Sequence, residues 1–203
     1  MGEKSHKAPE PVARQPNSSI AIDLIGQSER AYPRSLTRRL GDSAPRRIFV
    51  VGSPESLSAQ MCAFFCSQEA PGGTILEAFD QAAAWRDTGQ CVISGFHSPL
   101  ERQCLDILLR GKQPIMMALA RGLGVLRLPT LLRKALNDGR LTIISPFPAT
   151  EKRTTANLAL ERNRFVAALA DEVVFAYITP GGSLSRLAQE VARWGGVCRQ
   201  LHR

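Results

Sequence analysis

The chain has 203 residues, 44% hydrophobic and 22% charged, with a formal net charge of +8 and a pI of about 9.8. That length holds one domain with a core plus a tail and is tight for two. No apolar run approaches membrane-spanning length, and the polar N-terminus MGEKSHKAPEPVARQPNSS lacks the apolar stretch of a signal peptide, so no membrane partner and a cytoplasmic location are expected.

The positive balance favours polyanionic partners. It is unevenly spread: residues 66–99 carry an acidic excess, with Glu69, Glu77, Asp80 and Asp87 against Arg86, while residues 100–165 are strongly basic. The five cysteines, Cys62, Cys66, Cys91, Cys104 and Cys198, form no CxxC pair, and His6, His97 and His202 are scattered. No zinc-type ligand spacing is visible, so no metal or cofactor is expected, and the thiols read as small core residues.

Residues 1–44 are rich in Pro, Ser, Arg and Gln with little apolar periodicity, and are expected to form a disordered or loosely docked tail in which Ile20–Ile25 could pair locally. The domain is expected over 45–203. Ile48–Val51 reads as a short strand ended by Gly52-Ser53-Pro54, and Met61–Cys66 as a second, buried one. Thr74–Asp87 has helical spacing, with Ile75, Phe79, Ala82 and Ala83 on one face. Strands at Cys91–Ser94, Pro114–Leu119, Leu141–Ile144, Val173–Ile178 and Val197–Leu201 then alternate with helices at Ser98–Leu109, 129–138, Thr155–Leu169 and Leu184–Trp194. Continuous apolar strands alternating with helices predict an α/β fold: a single Rossmann-like, doubly wound domain with a mainly parallel sheet and helices on both faces. Ligands bind such sheets beyond the carboxyl ends of the strands.

Four loops at that edge could carry chemistry. After Cys66 comes a loop with Ser67, Gln68, Gly72 and Gly73 ahead of a helix, a weak anion-site signal because neither a Walker nor a dinucleotide pattern is present. Ser94-Gly95-Phe96-His97-Ser98 offers a glycine for close backbone approach and a serine able to cap the next helix. Glu161-Arg162-Asn163-Arg164 places guanidinium forks within a long helix, although Arg162 and Arg164 cannot share one side. Thr179-Pro180-Gly181-Gly182-Ser183 is a second strand-to-helix nest. Each has a plain alternative: a tight turn, a rim histidine or a solvated helix face.

The order of these motifs resembles the DprA/Smf DNA-processing proteins, within the wider lysine-decarboxylase-like superfamily. AFFCSQEAPGG stands where that family has a strand followed by G-S-R, VISGFHSPLE resembles its S-G-x-A stretch, and MMALARGLG its G-S-G-L-D loop. IISPFP resembles S-E-x-P, RNRFVAALAD resembles R-N-R-I-I-A-G-L-S, and GGSL at 181–184 resembles its G-S-L turn. The match spans residues 46–201. Cys66 and Gln68 replace the Gly and Arg of G-S-R, which removes one phosphate-holding arginine. The resemblance implies single-stranded DNA binding, homodimerisation and delivery of DNA to a RecA-type recombinase during DNA uptake. The cytokinin-activating phosphoribohydrolases of the same superfamily carry P-G-G-x-G-T-x-x-E. Here PGGSLSRLAQE puts Ala188 at the glutamate position, and a two-residue shift to Glu190 turns a helical side chain by about 200°.

The expectation is therefore a non-enzymatic DNA-binding domain. Backbone donors would come from Ser67–Gly73, Ser94–Ser98, Arg121–Gly122 and Gly181–Ser183, and charge from Arg121, Arg162 and Arg164. Phe96 and Phe147 are the candidate base-stacking aromatics. The alternatives are a nucleotide-binding sensor or phosphoribohydrolase-like enzyme using Glu101 or Glu190, and a dimer scaffold using the Leu128–Leu132 region or a free sheet edge.

Overall fold

The computed structural model describes residues 21–124 and 126–201. Eight strands form one sheet: β1 (Asp23–Gly26), β2 (Arg47–Val51), β3 (Met61–Phe65), β4 (Cys91–Ser94), β5 (Ile115–Ala118), β6 (Leu141–Ser145), β7 (Glu172–Phe175) and β8 (Val197–Gln200). Six helices accompany them: α1 (Arg34–Leu40), α2 (Gly72–Thr88), α3 (Pro99–Leu108), α4 (Thr130–Asn137), α5 (Ala156–Leu169) and α6 (Ser183–Arg193). The spatial order is β1-β2-β6-β5-β4-β3-β7-β8. The pairs from β6 through to β8 are parallel, while β2 joins β6 and β1 joins β2 antiparallel.

The central strands are mostly apolar because both their faces are covered. Side chains alternate across the sheet. Met61, Ala63 and Phe65 pack with Leu36 of α1, Phe165 and Val166 of α5 and Leu187 of α6. Cys62, Phe64 and Cys66 pack on the other face with Ala82 and Trp85 of α2, Leu100 and Cys104 of α3 and Ala135 of α4. Right-handed crossovers running one way and then the other place their helices on opposite faces. From β3 the chain steps through β4 and β5 to β6, and α5 then carries it back across to β7. The order therefore reverses between β3 and β7, and the loops leaving those two strands diverge.

The expected loose tail is corrected from residue 21 on. Residues 23–44 supply β1 and α1, and Tyr32 and Leu36 are 1% and 0% exposed. Arg39 Nη1 donates to the carbonyls of Ala167, Ala168 and Ala170, satisfying the C-terminal end of α5. The Tyr32 hydroxyl donates to the Pro45 carbonyl at 2.6 Å. A segment with few apolar residues is integral because Ile25, Tyr32, Leu36 and Leu40 are buried in the core. Residues 1–20, the rest of that expected tail, lie outside the described residues.

Candidate functional site

The divergence of the loops after β3 and β7 opens a cleft of about 630 Å³. Cys66, Ser67, Gln68 and Glu69 line it after β3, His97 and Ser98 after β4, and Glu101 from the first turn of α3. Ala156, Ala159, Leu160, Arg162 and Asn163 of α5 form one wall, and Thr179, Gly182, Ser183 and Leu184 form the side at α6.

Two buried charged residues organise it. Glu101, 6% exposed, accepts from the backbone N–H of Cys66 at 3.0 Å, of His97 at 2.7 Å and of Ser98 at 3.3 Å. It closes a capping box with Ser98, whose hydroxyl accepts from the Glu101 N–H. One carboxylate thus fixes the loops after β3 and β4 together. Arg162, 5% exposed, reaches across from α5 and donates to the Ala118 carbonyl and to Asn163 Oδ1, both at 2.9 Å. Burial lowers the guanidinium's pKa, and the negative charge of Glu101 works against that shift. A Cβ on Gly95 would overlap the Arg162 guanidinium, so the close backbone approach expected at this glycine is to an arginine. The Cys66 thiol at the cleft is pushed up to about 12 by burial and then by the Glu101 charge, which leaves it protonated.

Several residues expected at the site have other duties. Ser67 does line the cleft, but its hydroxyl accepts from the Thr179 N–H at 2.9 Å and holds the two diverging loops in register. Ser94 is wholly buried, its hydroxyl accepting from the Phe96 N–H at 3.1 Å. Gly72 and Gly73 belong to the first turn of α2, which begins two residues earlier than its apolar spacing suggests, and they stand outside the cleft lining. Gly122 is buried against Pro148 and Ala149, and its N–H is used by the Glu151 carbonyl at 2.8 Å. Arg121, also outside the lining, donates to the Gly122 carbonyl. Arg164 is held by Glu190 through contacts of 2.9, 2.9 and 2.6 Å, which raise its pKa through that hydrogen bonding. Gly181 takes a φ of +69°, which shapes the turn without lining the cleft. Gly182 caps α6 with no side-chain bond and donates to the Thr179 carbonyl at 3.0 Å. Phe96 (5% exposed, φ +46°) and Phe147 (6% exposed) are core residues, so neither offers a stacking face.

Gln68, His97, Asn163 and Ser183 remain as polar groups at the cleft, with the N-terminal turn of α6 open beside them. The aliphatic wall of Ala156, Ala159, Leu160 and Leu184 was not anticipated. The role of Glu101 as a cap is not that of an acid–base group, and the Ser98-x-x-Glu101 capping-box spacing in the sequence carries it. No group of three or more His, Cys, Asp or Glu positioned for a metal occurs among the described residues. Nor is any of their helices long and apolar enough to cross a membrane.

A model of the DNA recombination-mediator protein A family matches residues 23–192, from β1 into α6. The chain belongs to this family. The match includes the β1 and α1 segment and every loop of the cleft. Two solved members share the fold. DNA processing protein A from Streptococcus pneumoniae superposes with a TM-score of 0.74 at 15% identity, over 88% of this chain and 62% of that one. DNA processing protein A from Helicobacter pylori, described for its single-stranded DNA binding mode, gives 0.71 at 16% identity, over 88% of this chain and 80% of that one. The chain thus spans less than two thirds of the Streptococcus protein's length. No curated protein sequence matches it.

Proposed function

We propose that this chain binds single-stranded DNA non-enzymatically along the cleft at the carboxyl ends of β3, β4 and β7. The cleft itself carries the reading. It lies where the strand order reverses, a buried arginine sits in its wall, and the start of α6, which has no side-chain cap, would meet a strand's phosphates. Gln68, His97, Asn163 and Ser183 would hydrogen-bond the strand, while Ser67, Gly95, Gly182 and Arg162 set the shape. Lys152 and Arg153, exposed just before α5, would add charge. With no Phe, Tyr or Trp among the described residues of the lining, bases would rest on Leu160 and its aliphatic neighbours. Membership of a family of recombination mediators supports a further step, in which a homodimer hands the strand to a RecA-type recombinase during DNA uptake.

The nucleotide-enzyme alternative needs a free carboxylate at the cleft. Glu101 is engaged by backbone N–H groups and Glu190 by Arg164, which disfavours it. Fluorescence anisotropy with labelled single-stranded DNA across a salt series decides between the two. The expected result is binding that weakens steeply with salt, prefers the single strand over a duplex of equal length, and ignores AMP. Absence of binding at low salt, or displacement by AMP, would overturn it.

A further inference from the structure

Backbone N–H groups converging at a helix N-terminus make a ready site for phosphate. The loops after β3 and β4 build such a nest at the start of α3, from the N–H groups of Cys66, His97 and Ser98. Glu101 fills it from inside the chain at 2.7 to 3.3 Å. The carboxylate is 6% exposed and forms part of the cleft surface. It is also the negative charge that supports the buried Arg162 guanidinium, whose own hydrogen-bond partners are neutral oxygens.

We infer that Glu101 is a specificity-determining residue of the cleft: it occupies the phosphate nest as an internal anion, and so closes the cleft to inorganic phosphate and nucleoside monophosphates while leaving the rim to a strand's diester phosphates. This rests on the cleft being the DNA site. The physical basis is charge and space together. A phosphate monoester carries a charge of about −1.5 to −2 near neutral pH, and to enter the nest it would have to displace a carboxylate already holding three charge-assisted hydrogen bonds. A diester in a strand carries a single charge and can lie along Gln68, Asn163 and the start of α6 without entering the nest.

Removing the carboxylate should convert the nest into a phosphate site. Glu101→Ala and Glu101→Ser are compared with the wild type by thermal unfolding in inorganic phosphate, and separately in AMP, at ionic strength held constant with chloride. The wild-type Tm is expected to stay put. Each variant is expected to start lower, and to rise by about 4 °C once phosphate reaches roughly ten times its Kd. A variant that folds only when phosphate is present is the same result in stronger form. If neither variant responds to phosphate, or the wild type responds equally, the inference is overturned. Anisotropy with labelled single-stranded DNA, run on the same samples, separates the two failures. A wild type that binds no strand removes the DNA reading, and the phosphate response then judges the nest alone.

Discussion

Gly95 and Arg162 are adjacent in space although they stand 67 positions apart in the chain. The guanidinium lies where a side chain at 95 would begin, so Gly95→Ala must push a buried charge off the Ala118 carbonyl. The expected cost is about 1–3 kcal/mol, read from the urea midpoint. The loss should shrink in an Arg162→Ala background, where the space is free. Equal losses in both backgrounds would refute the pairing. The buried thiols give a second test. Desolvation first of all raises Cys62, Cys66 and Cys104 to about 12 and Cys91 to about 11. Cys198 alone is exposed, so Ellman's reagent should titrate one thiol in the native protein at pH 8 and five in denaturant. Because the folded pKa values are raised, the unfolded chain loses these protons first. The stabilisation is complete below about pH 8.5, the ordinary thiol pKa, and is lost as pH climbs toward 11–12. A midpoint that stayed level from pH 8 to 10.5 would contradict this.

At the scale of elements, α5 and α6 are tied by Arg164 and Glu190, whose side chains are 38% and 20% exposed. Solvent screening limits such a pair to about 1 kcal/mol or less. Arg164→Ala should therefore lower the denaturation midpoint slightly and leave DNA affinity and its salt slope nearly unchanged. A large loss of DNA binding would show instead that Arg164 leaves Glu190 to meet the strand. The cap on α3 behaves differently, because it builds the cleft. Ser98→Ala removes the hydroxyl that accepts from the Glu101 N–H, at an expected cost of about 1 kcal/mol. It should also weaken strand binding, because the loop that presents the His97 side chain to the cleft loses part of its anchoring. Stability and anisotropy measured on one sample would show whether the two effects travel together.

Across the whole molecule, the N-terminal segment decides whether the domain stands alone from residue 45. Tyr32, Leu36 and Leu40 fill the face between β2 and α5, and Arg39 closes the end of α5. Leu36→Ala should cost about 2–5 kcal/mol, and a chain beginning at Pro45 should lose cooperative thermal unfolding. Cooperative unfolding of that shortened chain at the full-length Tm would restore the tail reading for residues 21–44. The strands and helices from Arg47 onward were legible because runs such as Met61–Phe65 and Ile115–Ala118 are buried on both sides and so are apolar at every position. The segment before them was not. Its buried residues, Ile25, Tyr32, Leu36 and Leu40, are widely spaced, and a four-residue edge strand whose first two residues are exposed shows no distinct inward face.

What the sequence determined by itself was the alternation of strands and helices, the mainly parallel sheet, and the order of loops that marks the family. These follow from local periodicity and from turn residues, which neighbouring positions specify. The tertiary structure decided which loop groups line the cleft. Gly122 and Arg164 carry donors suited to phosphate, yet Glu151 and Glu190 claim them, both from distant stretches of chain. A donor bonded within the protein is unavailable to DNA, and that allocation depends on which segments the crossover from β6 to β7 brings together.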